Sequence, residues 1–421
     1  MPANETVRSS VVLGMRPTTF LLLLPLLSLG AGCRESPSHP PAASASLSAE
    51  PAAASAVVPE QPAAAASDVV PAADPMAPAM TDGELGRLIN ALSEPTGDFP
   101  SDNFVSNETS YLHVAPALLD EKMRGKAYVG VGPEQNLTYV AMMQPAMAYI
   151  VDIRRQNMLQ HLLLRALAED ARDRAAFLER LTARRPGCCG VAKPELASFD
   201  ELADALAKTD ASDEAVQAEV ERTLALMGRL GVVQKPGDEG SLRKVLQAFA
   251  KGGLDLAYSM KGSGRKYPSL RKLLAMEDDE GKQRSFLSDE ESFSTVQGLL
   301  RANRVVPVVG DFSGERALRG VAADMRRREL TLGVFYTSNV EQYLFEGGSY
   351  GTFVRNVETF PIDETSSFLR VWFDQGRAHP KQREGHRTTS LVTPVGAFLA
   401  RHAKHPFATY WHVTTFVHEV P

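Results

Sequence analysis

Residues 128–157, YVGVGPEQNLTYVAMMQPAMAYIVDIRRQN, decide the reading of the fold. The run KAYVGVG is β-rich and is closed by Gly132-Pro133. PEQNLTYVAMMQ then reads as a helix with Pro133 in its first turn, where a missing amide costs nothing. AMAYIVDI is apolar nearly throughout, as expected of a strand covered on both faces. NMLQHLLLRALAEDARDRAAFLERL repeats Leu and Ala at helical spacing. Strand, helix, strand, helix implies right-handed crossovers and a parallel sheet.

Working outward, residues 172–285 interrupt the alternation with helix-like segments such as SFDELADALAK, DEAVQAEVERTLALMGRL and GSLRKVLQAFAKGG. They read as a helical insertion or lid. Alternation resumes at SDEESFSTVQGLLRAN, where Ser288 and Glu291 have capping-box spacing. RVVPVVGDF and LTLGVFYTSN read as strands flanking the helix GERALRGVAADMRRR, and VEQYLF opens a short helix. FVRNVETFP, SFLRVWF and the terminal ATYWHVTTFVHEV are expected to be further strands. Upstream, TDGELGRLINALSE is a capped amphipathic helix, and the turn-rich PTGDFPSDNFVSNETSY follows it, with a short helix expected near 115–122. The fold class is therefore α/β: a Rossmann-type, doubly wound, mostly parallel sheet over 82–421 with a helical insertion.

The first 81 residues are of another kind. Met15 and Arg16 precede PTTFLLLLPLLSLGAGC, an apolar core too short to span a bilayer comfortably but of signal-peptide length. Met15 is a natural start. LGAGC resembles a bacterial lipobox, which implies lipidation of Cys33, although Gly30 stands where that motif usually has Leu. A cleavable secretory signal and a chance apolar tail are the alternatives. Residues 34–81 are an Ala/Pro/Ser tract with too little apolar surface to offset chain entropy, and they read as a disordered tether. The expected location is the bacterial cell envelope, lipid-anchored, or the cytoplasm should the signal reading fail.

A net charge of −6 and a pI near 5.9 give no reason to expect a nucleic-acid surface. Arg326-Arg327-Arg328 reads as the solvated end of a helix. Beyond Cys33 the only cysteines are the adjacent Cys188 and Cys189, which cannot staple distant elements and lack partners at zinc spacing. No H-E-x-x-H, G-x-S-x-G, P-loop or EF-hand spacing occurs. His402 and His405 have helical spacing without carboxylate partners and read as surface residues, whereas Tyr410 and Trp411 read as core.

The site reading rests on where turns fall. A strand ending in Gly130-x-Gly132 before a helix lets the backbone approach a ligand, and the helix amides favour an anion. Asp152 ends the next strand, twenty-two residues after Gly130, where an acid can accept from a ribose diol. Asp311 in VVGDFSG ends a third strand, where it can accept from an adenine amine or cap a helix with Ser313. Ser338 and Asn339 end a fourth, with Asn339 and Glu341 alternatively serving as caps. DNFVSNETSY echoes TSNVEQY, and folding over the sheet edge would bring Asn107 and Glu108 beside Glu134 and Asn339. The alternative there is a loop that caps itself.

This order, Gly-x-Gly, acid, GDF and TSNVEQYL, resembles the class I S-adenosylmethionine-dependent methyltransferases over 127–170 and 288–373. The chain is similar also to a group of bacterial proteins carrying YVGVGPEQN, VVGDF and SNVEQYL. The methyltransferase resemblance implies S-adenosylmethionine as cofactor, with Gly130 and Gly132 as the glycine loop, Asp152 as the ribose acid and Asp311 at the adenine edge. Asn339 matches the polar residue beside the methyl-transfer crevice. Two positions depart from the pattern: Tyr128 replaces an acid, and Glu134 replaces the third glycine, where it can supply a substitute carboxylate. Two functions follow as expectations. One is a methyltransferase-like enzyme; the other is an envelope protein that kept the fold, lost the reaction and binds a small ligand or a protein partner in the crevice.

Overall fold

The computed structural model describes residues 80–185, 187, 190–260 and 264–416. The expected signal segment with Cys33, nearly all of the expected tether, and Cys188 and Cys189 lie outside the described residues. Among the described residues no helix is long and apolar enough to cross a membrane.

The chain begins with α1 (Asp82–Leu92) and α2 (Ala115–Leu118), then β1 (Ala127–Gly130), α3 (Gln135–Met143), β2 (Met147–Asp152) and α4 (Arg155–Glu169). The insertion holds α5 (Arg174–Leu181), α6 (Phe199–Leu206), α7 (Asp213–Leu230), α8 (Asp238–Gly252) and α9 (Leu270–Leu274). There follow α10 (Glu290–Arg301), β3 (Val305–Val309), α11 (Ala317–Arg327), β4 (Leu332–Ser338), α12 (Val340–Glu346) and α13 (Tyr350–Val357). The chain closes with β5 (Ser367–Phe373), β6 (Thr388–Pro394), α14 (Val395–Lys404) and α15 (Tyr410–Thr415).

These elements form an α/β architecture around one six-stranded sheet in the order β3-β2-β1-β4-β5-β6, parallel except for β6. Every residue of β1, β2 and β3 is buried, which is why their sequences run apolar without alternation. The crossovers through α3 and α4 step to one side of β1, and the one through α11 returns to its other side. The strand order reverses between β1 and β4, and the chain diverges there at the carboxyl ends of the strands, opening a crevice.

Two further features shape that edge. The segment between α1 and α2 runs as a strap across it: Glu94 N donates to Val309 O at 2.8 Å and Gly97 N to Ile153 O at 2.9 Å. In the insertion, α7 and α8 pack on α4, locked by the Arg155–Asp238 ion pair at 2.7 Å, and the segment after α8 reaches the crevice.

The structure corrects several local expectations. FVRNVETFP is not a strand; its first part lies in α13, because Tyr350, Phe353, Val354 and Val357 bury one helical face. The terminal run is likewise helical over α15, with Thr409 capping by accepting from His412 N at 3.2 Å. In its place β6 supplies the antiparallel edge. It is hard to see in TTSLVTP because two of its hydroxyls find tertiary partners, Thr388 Oγ1 and Ser390 Oγ lying 2.8 and 2.9 Å from Ser110 Oγ. The N-cap of α10 is Asp289, not Ser288: its carboxylate accepts from Ser292 N at 2.7 Å. His402 is half-buried among the rings of Phe398, Phe407 and Tyr350, rather than a free surface residue.

Candidate functional site

The carboxyl ends of β1 to β4 open into a cavity of about 630 Å³, within the range of small-ligand sites. Gly132, Asp152, Asp311 and Asn339 all line it, together with Asn107 and Glu108 from the strap side. Gly130 and Glu134 stand behind the wall.

Gly130 is required by packing. A Cβ there would lie 2.0 Å from Asn136 Oδ1 and 2.7 Å from the Tyr128 hydroxyl. Tyr128, which stands where the resemblance calls for an acid, donates its hydroxyl to Asn136 Oδ1 at 2.8 Å. Asn136 Nδ2 in turn reaches the carbonyls of Val131 at 2.9 Å, Gly132 at 3.1 Å and Pro133 at 2.8 Å. His161 Nε2 lies 2.9 Å from the same Gly132 carbonyl. The turn is thus held from inside by two buried side chains that sequence reading passed over. The available signal was an amide placed one helical turn after Gly132. Gly132 itself has φ of +85° with open space on its Cβ side, so backbone conformation demands the glycine and its free face borders the cavity.

Glu134 turns away from the cavity. Its Oε1 accepts from Ser106 N at 3.2 Å, and its Oε2 is buried with no hydrogen-bond partner among the described residues. Burial, with the nearby Glu108 adding, pushes its carboxyl up to about 7. Glu108 forms the floor. It accepts from Gln135 Nε2 at 2.8 Å, Tyr336 hydroxyl at 2.7 Å and Ser338 Oγ at 2.5 Å. Burial raises its pKa, and those three hydrogen bonds pull against the rise. Ser338 sits at φ +50°, a strained backbone for a residue with a side chain, and its bond to Glu108 ties that strain to the floor. The strap therefore does bring Asn107 and Glu108 to Asn339, while Glu134 stays a layer behind.

Asp152 lines the cavity already paired. Arg154 Nε donates to Oδ1 at 2.9 Å and Nη2 to Oδ2 at 2.7 Å, and the Arg154 amide adds a third bond to Oδ1 at 2.9 Å. Asp311 makes a tight turn, its Oδ1 accepting from Ser313 N at 2.7 Å and Ser313 Oγ at 2.8 Å. The start of α11 is capped from outside by Glu94, which accepts from Asp311 N at 3.0 Å, Arg316 N at 2.7 Å and Ala317 N at 3.0 Å. Asn339 makes no side-chain cap on α12, and it lines the cavity beside Tyr343. Glu341 is a core residue: it is fully buried and paired with the equally buried Arg370, whose Nε lies 2.6 Å from Oε1.

No curated protein matches the chain. The family model described as a domain of unknown function (DUF7790) matches residues 103–231 and 255–417, which include every residue of the cavity's glycine turn and its strand-end acids; the protein belongs to that family.

Proposed function

We propose that the chain is a methyltransferase-like protein with a Rossmann-type, doubly wound sheet, that its crevice takes S-adenosylmethionine, and that Cys33 anchors it by lipid to the cell envelope. The observation that carries this reading is the placement of Gly132, Asp152, Asp311 and Asn339 along one cavity of nucleoside size at the strand ends. The adenine end fits the residues present: both bonds to Ser313 use Asp311 Oδ1, leaving Oδ2 to accept from an exocyclic amine. The ribose end fits in part. Oδ1 of Asp152 already accepts two hydrogen bonds and Oδ2 one, so a diol finds a single remaining lone pair there. S-adenosylmethionine supplies an activated methyl group when bound, so the chain's own contribution is orientation: Gly132 lets the ligand approach the turn, and Asn339 and Glu108 present polar groups at the floor.

The Arg154 fork and the withdrawn Glu134 favour a second reading, a catalytically inactive envelope lipoprotein that holds another small ligand or a protein partner in the same crevice. The predicted export segment points the same way, because S-adenosylmethionine is made and used in the cytoplasm. Calorimetric titration of the purified protein with S-adenosylmethionine separates the two. Binding that weakens in Asp311→Ala supports the first; no heat at millimolar ligand removes it. Cell fractionation of Cys33→Ser tests the anchor, and a membrane fraction equal to wild type sinks it.

A further inference from the structure

The mouth of the cavity carries aromatic rings that neither the glycine turn nor the strand-end acids explain. Phe99 comes from the strap, Tyr258 and Tyr267 from the segment after α8, and Tyr343 from α12. They form two edge-to-face pairs: Phe99 and Tyr343 with centroids 5.5 Å apart at 78°, and Tyr258 and Tyr267 at 4.8 Å and 76°. Both pairs line the same cavity. Tyr343 is 36% exposed and lines the cavity next to Asn339.

We infer that these four rings form a second subsite at the cavity mouth, which stacks the flat ring of a neutral aromatic molecule. The inference rests on reading the crevice as a ligand site and names the class of the second molecule it takes, the methyl acceptor under the first reading. In an edge-to-face pair one ring spends its edge and leaves faces open, so two such pairs around a cavity offer stacking surfaces to a planar guest. At Phe99 a cationic guest is disfavoured, because the Arg154 guanidinium already sits 5.5 Å from that ring's centroid. The rings hold their geometry without help from a ligand: Tyr258 is buried in the core and Tyr267 packs against it, and the strap that carries Phe99 is bonded to the sheet edge at Gly97.

Ligand-observed NMR on the full chain tests this with matched probes. The probes are 2-naphthol, its saturated counterpart decahydro-2-naphthol, and tetramethylammonium. The expected result is 2-naphthol binding about tenfold tighter than the saturated alcohol, as stacking on more than one ring would give. That preference should fall to near unity in Phe99→Leu/Tyr343→Leu, and separately in Tyr267→Leu, with circular dichroism unchanged. Equal binding of the two alcohols, no binding of either, or tighter binding of tetramethylammonium overturns the subsite. A parallel titration with S-adenosylmethionine keeps the failures apart. Cofactor binding without naphthol selectivity removes the subsite alone, and selectivity without cofactor binding removes methyl transfer alone.

Discussion

Arg154 grips Asp152 through two parallel bonds, at 2.9 and 2.7 Å, with side chains only 9% and 5% exposed. The acid that a ribose diol would use is thus also the counter-ion of a nearly buried guanidinium, which reaches on to the Asp102 carbonyl of the strap at 2.7 Å. Asp152→Asn leaves that cation unpaired and is expected to cost about 3 kcal/mol in urea unfolding. Arg154→Gln should cost clearly less in the Asp152→Asn background than in wild type; strictly additive losses would show the fork to be energetically idle.

The Glu134 carboxyl gives the protein a pH dependence of defined sign. Its folded value of about 7 lies above the ordinary 4.5, so near pH 6 the folded chain holds a proton the unfolded chain has lost. The resulting stabilisation is complete below about 4.5 and disappears as pH rises through about 7. Glu134→Gln removes the dependence. Its stability relative to wild type should climb between pH 5 and pH 8, by up to about 3 kcal/mol. Melting curves of the two proteins that stay parallel across that range would contradict it.

Glu341 and Arg370 are each 0% exposed, with Tyr350 and Thr337 hydroxyls completing the carboxylate shell. Arg370 also lies 3.8 Å from the Phe368 ring centroid and 4.6 Å from that of Phe398. Glu341→Gln should destabilise by about 3 to 5 kcal/mol, because a guanidinium packed between rings loses its anion. The pair Glu341→Leu/Arg370→Met should recover most of that loss in denaturant midpoint.

Glu94 caps α11 from another element, so Glu94→Ala exposes three amides at once. A loss of about 1 to 2 kcal/mol is expected, with faster hydrogen exchange confined to the Asp311–Ala317 turn. Exchange unchanged at those amides would refute the cap.

The two turn glycines should separate by mechanism. Gly130→Ala forces its methyl into Asn136, 2.0 Å away, and should lose several times the stability that Gly132→Ala loses. Gly132→Ala meets open space and carries only the strain of φ +85°, about 1 to 2 kcal/mol. Gly132→Ala should lower ligand affinity directly, because Gly132 borders the cavity, with the loss of stability staying small.

What the sequence by itself determined was the α/β class and the parallel run of β1, β2, β3 and β4. A strand covered on both faces must be apolar along its whole length, and the helices between must show their own period, so each element announces itself locally. The same local reading failed where an element's pattern depends on what packs against it. FVRNV looked extended until Tyr350 showed the helical face it completes, and β6 hid because Thr388 and Ser390 bond to the distant turn at Ser110. The partners of buried charge were invisible too. That Glu341 belongs to Arg370 and Glu94 to the start of α11 was decided by the tertiary structure, because such a charge is satisfied by whatever the packing brings within about 3 Å, and here those partners lie far away in sequence. Arg154 is close to Asp152 in the chain, but only the fold turns it back onto that carboxylate.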